Sequence, residues 1–284
     1  MKIFGISDLH LEHKENREAL ERLPVYPNDW LIVAGDVGNL LQTVEQGFDI
    51  LSPRFAKLFW VPGNHELWAF PKEESATESV EKYKNLIELC RKYKIVSPED
   101  PFEVIQTEKG SFVLAPLFVL YDYSFRPEHI SVDNAIQWAN EAKLMCNDEY
   151  LLKPKPYPSI REWCEERVLI SESKLDEAQK QNPEAKFILI NHFPLRYVDA
   201  TLWLIPRFSI WCGTKLTEKW PWKYPTEAVV YGHLHLRKSF REKGVRFEEV
   251  SLGYPKHWNQ NKNASHYLRT ILDCDVVQAA HSQH

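Results

Sequence analysis

Lys2-Ile3-Phe4-Gly5-Ile6-Ser7-Asp8-Leu9-His10 opens the chain with an apolar run that halts on a carboxylate, an aliphatic residue and an imidazole. Lys2 to Ile6 reads as a buried strand. The same grammar recurs along the sequence. Trp30 to Ala34 ends on Gly35-Asp36, and Lys57 to Val61 leads to Gly63-Asn64-His65-Glu66. Phe187 to Ile190 ends on Asn191-His192, and Ala228 to Tyr231 on Gly232-His233-Leu234-His235. Phe112 to Ala115 and Phe247 to Leu252 read as two further strands. In an open α/β sheet, the edge at the strands' carboxyl ends is where sites are built. One such group alone is explained by turn chemistry, since Asp and Asn bond their own backbone and a lone His caps or packs. Five in succession at strand ends are not.

Helical periodicity lies between the strands. Val80, Tyr83, Ile87 and Cys90 share one face, and Ile160, Trp163, Arg167, Ile170 and Lys174 share another. A helix is expected from Ser159 to Gln181, stopped by Asn182-Pro183. No internal repeat or domain boundary interrupts the pattern. One domain over 1–275 is expected, with a tail at 276–284.

The donor types define what the cluster can hold. Asp8, His10, Asp36, Asn64, His192, His233 and His235 mix imidazoles with oxygen donors, a set suited to Mn, Fe or Zn. A closed structural site needs four ligands. Seven side chains suit two ions sharing a carboxylate, which can hold a bridging hydroxide and clamp an in-line phosphoryl displacement. His233 and His235 would point to one face on an extended strand, or to separate ions on a turn.

In this order, Asp8-x-His10, Gly35-Asp36, Gly63-Asn64-His65-Glu66, Asn191-His192 and Gly232-His233-x-His235 resemble the calcineurin-like metallophosphoesterase superfamily. The resemblance spans residues 8 to 235. It implies a four-layer α/β/β/α sandwich, two mixed β-sheets face to face with helices outside. It implies that Asp8, His10 and His235 hold one divalent or mixed-valence metal ion and that Asn64, His192 and His233 hold the other. Asp36 would bridge them, and His65 would be the catalytic histidine. Many members carry an acid three residues after the bridging Asp, whereas this chain has Asn39. An amide oxygen can accept a hydrogen bond from imidazole but does not raise its pKa by charge. The other reading of Asn39 is a helix cap.

Residues 194–227 are expected to cover the mouth of the site as an insert or lid. They carry Trp203, Trp211, Trp220 and Trp222, with Arg196, Arg207, Lys215, Lys219 and Lys223 against Asp199, Glu218 and Glu227. Arg196 and Arg207 are the candidates for substrate anion contacts. The alternative is that the aromatic residues only pack this segment onto the body. Tyr121 to Arg126 and Tyr254, His257 and Trp258 are candidate walls. His257 reads as a surface residue or a neighbour of a ligand rather than as a ligand.

Composition bounds the function. Of 284 residues, 44% are hydrophobic and 26% charged, with a net charge of −5. This excludes a disordered chain, a collagen-like repeat and a small disulfide scaffold. It provides no broad positive field, so a nucleic-acid partner is disfavoured. Five widely spaced cysteines without a Cys-x-x-Cys pair read as reduced thiols of a cytoplasmic protein. Phe112 to Leu120 is too short and too interrupted to cross a bilayer, and the first apolar run is too short for a signal peptide. The leading expectation is a phosphomonoesterase acting on a small phosphorylated molecule. The alternative is a phosphodiesterase or nuclease on a cyclic nucleotide or nucleic acid. A non-catalytic interaction scaffold is disfavoured, because no ligand position has been lost. The oligomeric state is left open.

Overall fold

The computed structural model describes residues 1–70 and 78–275, so the expected tail lies outside the described residues. Among the described residues, ten strands form two sheets. In chain order they are β1 Lys2–Ile6, β2 Tyr26–Val33, β3 Phe55–Trp60, β4 Glu103–Thr107 and β5 Gly110–Pro116. They continue as β6 Lys186–Ile190, β7 Thr226–Tyr231, β8 Ser239–Glu242, β9 Val245–Glu249 and β10 Arg269–Asp273. The first sheet has the order β10-β1-β2-β3 and the second β4-β5-β6-β7-β9-β8. Both are mixed. β1, β2 and β3 run parallel with β10 antiparallel at one edge. β5, β6, β7 and β9 run parallel between antiparallel edges β4 and β8.

Side-chain alternation builds the layers. Ile3, Ile32, Phe59, Ile188, Ile190, Ala228 and Val230 point inward and form the core between the sheets. Their strand neighbours Phe4, Leu31, Val33, Leu58, Phe187, Leu189 and Val229 point outward into a second core shared with the helices. Strands buried on both faces read as continuous apolar runs, which is why the sequence reveals them. Helices Leu41–Leu51 and Ser79–Tyr93 contribute Val44, Phe48, Leu86 and Ile87 to the outer core, and Ile160–Gln181 contributes Trp163, Val168 and Leu175. The Ser159 side chain caps the last of these by accepting from the Arg161 N–H at 3.1 Å. The result is the expected α/β/β/α sandwich.

All seven expected strands are present. The three that the sequence reading passed over, β4, β8 and β10, all lie at sheet edges. They carry charged or polar residues among few apolar ones, a pattern that protects an open edge and hides the strand.

A backbone bridge stitches the two sheets together at their carboxyl ends. Ser7, just past β1, bridges Ser251, just past β9: the Ser7 N–H donates to Val250 O at 3.1 Å and the Leu252 N–H to Ser7 O at 2.8 Å. The candidate residues gather beside this junction. Between β6 and β7 the chain runs as short turns at Tyr197–Asp199, Pro206–Trp211 and Lys215–Thr217, then a short helix Trp220–Lys223.

Candidate metal centre

The loops after β1 and β2 are zipped together. The Asp8 N–H donates to Gly35 O at 2.9 Å, and the His10 N–H to Asp36 O at 3.0 Å. Asp8, His10, Asp36, His233 and His235 all sit at positive φ, between 42° and 73°. Non-glycine residues rarely adopt this region, and such strain collects at functional sites. Gly63 and Gly232 let the backbone approach the acids. A Cβ on Gly63 would fall 2.1 Å from Asp36 Oδ1, and one on Gly232 would fall 2.3 Å from Asp8 Oδ2.

Two groups of donor atoms result. In the first, His10 Nε2 and His235 Nε2 lie 3.2 Å apart, and His235 Nε2 lies 3.0 Å from Asp8 Oδ1. Asp8 Oδ2 accepts from Ser7 Oγ at 2.5 Å and Ser251 Oγ at 2.7 Å, which fixes the carboxylate. In the second, His192 Nε2 stands 3.4 Å from Asp36 Oδ2. His192 Nδ1 bonds Ala34 O at 2.8 Å, which leaves Nε2 with the lone pair. His192 Nε2, His233 Nε2 and Asn64 Oδ1 are all buried without a hydrogen-bond partner. Polar atoms are seldom buried unpaired, and three such orphans, one beside the Asp36 carboxylate and two on the cavity that Asp36 lines, fit a cation. The turn at Gly232–His235 separates its two imidazoles: His235 joins the first group, while the His233 ring stands 5.3 Å from that of His192.

The electrostatics agree. Burial pushes the Asp36 carboxyl well above its usual range, aided by Glu66 and Asp8. Burial opposes ionisation of Asp8, yet His235 together with His192 and His10 holds that carboxyl well below the usual range. Burial lowers His10 and His233 well below the ordinary imidazole value, so both offer lone pairs.

Three residues complete the frame. Glu66, the last residue of the Gly63-Asn64-His65-Glu66 motif, accepts from the Asp36 N–H at 2.8 Å, Val37 N–H at 2.7 Å and Gly63 N–H at 2.9 Å. It locks the second loop to the third. Asp148, absent from every motif, is fully buried and accepts from Asn64 Nδ2 at 2.9 Å and Trp68 Nε1 at 2.7 Å. The first bond turns the Asn64 oxygen toward the site. No sequence signal marks Asp148, since Asn147-Asp148-Glu149 reads as a solvated turn. Tyr254 stacks on His10 with ring centroids 4.4 Å apart, and His257 Nδ1 is 3.0 Å from His235 Nδ1. His257 is therefore a neighbour of the cluster, as expected.

His65 lies beside Asp36, with its backbone N–H on Asp36 Oδ1 at 3.0 Å and its ring against Trp68 at 3.7 Å. Burial and the nearby His192 push its imidazole down to about 3. Nδ1 bonds Asn39 Oδ1 at 2.7 Å, so that nitrogen carries the proton. Asn39 is thus the histidine's partner, and its backbone carbonyl separately accepts from Lys82 Nζ at 2.6 Å.

The two arginines expected to meet substrate are placed elsewhere. Arg196 is buried, bidentate on Asp199 at 2.6 and 2.7 Å, bonded to Glu242 at 2.9 Å, and stacked over Phe247. Arg207 bonds Trp138 O and Glu141 and lies over the Trp138 ring. Both anchor the 194–227 segment, because acids stand within reach and consume their donors. Neither lines the cavity of about 380 Å³ at the cluster, which Asp36, Asn64, His65, His233 and His235 share with Met145, Leu202, Ile205, Phe208 and Tyr254.

Residues 1–237 match the model of the calcineurin-like phosphoesterase family. The chain belongs to this family. It is 41% identical over 272 residues, 95% of this chain and 83% of the relative, to the acyl-carrier-protein phosphodiesterase PptH of Mycobacterium tuberculosis. A crystal structure of phosphopantetheinyl hydrolase (PptH) from that organism superposes with a TM-score of 0.89 at 39% identity, covering 95% of both chains. An uncharacterized protein, L509, of Acanthamoeba polyphaga mimivirus is 24% identical over 93% of this chain and 94% of its own. The chain is a metal-dependent phosphoric ester hydrolase. Among the described residues, no helix is long and apolar enough to cross a membrane.

Proposed function

We propose that this chain is a phosphodiesterase that cleaves the diester joining a phosphopantetheine arm to a carrier protein. The observation that carries the reading is the 41% identity over 95% of the chain to a protein named for that activity. It favours the diesterase alternative over the expected small-molecule phosphomonoesterase, and a protein-borne substrate over a free metabolite. The cavity supports the same choice. Among the described residues that line it there is no Lys or Arg to meet the second negative charge of a monoester dianion. Its walls are apolar at Met145, Leu202, Ile205 and Phe208, as suits a monoanion with a substituent on each ester oxygen.

Asp8, His10 and His235 would hold one cation and Asn64, His192 and His233 the other, with Asp36 between them. Mn, Fe and Zn all accept this donor set. Such a pair supplies Lewis acidity, neutralising phosphoryl charge and making water acidic enough to attack near neutral pH. The protein's part is orientation and proton handling. Asp148 and Glu66 hold the Asn64 amide and the Asp36 loop in place. His65 enters as a neutral imidazole with Nδ1–H on Asn39 Oδ1. Its Nε2 is free to take a proton from the attacking water and return it to the departing side-chain oxygen. The products are the carrier protein with its hydroxyl restored and free phosphopantetheine. Five buried free cysteines support a reducing, cytoplasmic setting.

The test is intact-mass spectrometry of a holo-carrier protein incubated with the Mn²⁺-loaded enzyme. Conversion to the apo form with release of phosphopantetheine is expected. An unchanged carrier protein, with an aryl phosphomonoester turned over faster than a bis-aryl diester, overturns the reading.

A further inference from the structure

The turn between β6 and β7 does more than close the cavity. Trp203 is 89% exposed, Leu204 82%, Val198 65% and Leu216 51%, and Met145 across the mouth is 66% exposed. Contiguous exposed apolar residues mark interaction sites, and Trp is the side chain most enriched where binding energy concentrates. These residues do not hang on a loose loop. Beneath them Ala200, Leu202 and Phe208 pack with Phe125, Cys212 and Leu234. The bidentate Arg196–Asp199 pair clamps the start of the turn. The same stretch supplies Leu202 and Ile205 to the cavity wall, so the exposed ridge is continuous with the site.

We propose that this ridge, Val198 to Ile205 with Leu216 and Met145, docks the folded body of the carrier protein. The proposal rests on the phosphodiesterase reading above. Its physical basis is the shortness of the linkage. A diester formed on a protein uses a side-chain hydroxyl, which places phosphorus only a few bonds from that protein's backbone. With phosphorus at the metal centre, the partner's surface must press against the mouth, and the ridge is what it meets. Charge narrows the partner further. Lys215 and Lys219 are exposed and form no ion pair among the described residues. Their turn is tied to the ridge by the Tyr197 N–H donating to Glu218 Oε1 at 3.2 Å. They suit acidic groups around the modified hydroxyl, which would steer the encounter.

The experiment compares wild type with Trp203→Ala/Leu204→Ala and with Lys215→Glu/Lys219→Glu. The substrates are a holo-carrier protein and bis(p-nitrophenyl) phosphate. Both variants should hydrolyse the small diester at the wild-type rate, which also reports intact folding. On the carrier protein, kcat/KM should fall at least tenfold, mostly through KM. The lysine variant should also lose the salt dependence that wild type shows. Wild-type turnover of the carrier protein by the tryptophan variant overturns the docking surface while leaving the phosphodiesterase reading intact. If wild type cleaves the small diester but not the carrier protein, the functional reading fails and this partner with it. Concentration-dependent self-association that Trp203→Ala abolishes, with carrier-protein turnover unaffected, assigns the ridge to a second copy and overturns the proposal.

Discussion

His65 Nδ1 stands 2.7 Å from the side-chain oxygen of Asn39. A neutral amide fixes the tautomer without stabilising the imidazolium, and burial then holds the ring neutral. Asn39→Asp puts a carboxylate at the same distance, which raises an imidazole pKa by about 1–3 units. Raising the pKa extends the protonated form toward neutral pH. The acid limb of the kcat/KM profile for a small diester should therefore move up by a similar amount. A variant faster than wild type near pH 7 would show that the protonated ring is the working form.

His65→Ala tests the proton-handling role itself. Loss of a positioned acid or base typically costs about 10²–10⁴ in rate. We expect kcat to fall within that range, with metal content by elemental analysis unchanged. Loss of metal would make His65 a ligand instead.

Asp148 acts through Asn64 and Trp68. Removing groups that orient metal ligands costs about 10–100-fold in metal affinity or activity. Asp148→Ala should weaken uptake of one of two Co²⁺ equivalents, followed by absorption titration, and leave the other unchanged. It also strands the Trp68 indole N–H, a penalty of roughly 1–3 kcal/mol on stability. Equal weakening of both equivalents would reduce Asp148 to a structural residue.

Arg196 should matter for stability and not for chemistry. Replacing one partner of a buried ion pair costs about 3–5 kcal/mol, because the other charge is left uncompensated. Arg196→Met should lower the urea midpoint by a corresponding amount. The folded fraction should keep the wild-type kcat on a small diester. A selective rise in KM with stability unchanged would restore the expected anion contact.

Chelation should abolish activity and lower the melting temperature together. A ligand at a hundred times its Kd stabilises by about 2.7 kcal/mol per site, and the cluster leaves buried carboxylates facing one another without it. Readdition of Mn²⁺ should restore both. Full activity after exhaustive chelation would remove the metal from the chemistry.

The parts of this molecule legible in the sequence were those with a local signature. The inner strands are apolar on both faces, and each of five ends in a polar motif, so the sandwich and the gathering of Asp8, His10, Asp36, Asn64, His192, His233 and His235 follow from reading along the chain. β4, β8 and β10 escaped because edge strands carry charges that mask the alternation. Asp148 escaped because its meaning lies in a contact with Asn64, distant in sequence. Arg196 misleads for the opposite reason. Its partner Asp199 stands three residues on, in view, yet an arginine among tryptophans invites a ligand, and only packing shows the guanidinium already engaged.

The stitch between Ser7 and Ser251 has a consequence for biosynthesis. His10 emerges from the ribosome long before His235, and the serine that braces Asp8 emerges later still. A nascent chain therefore exposes half a chelate with nothing opposite it. The Asp8, His10 and His235 donors can therefore close into a braced chelate only after the chain has been made as far as Ser251.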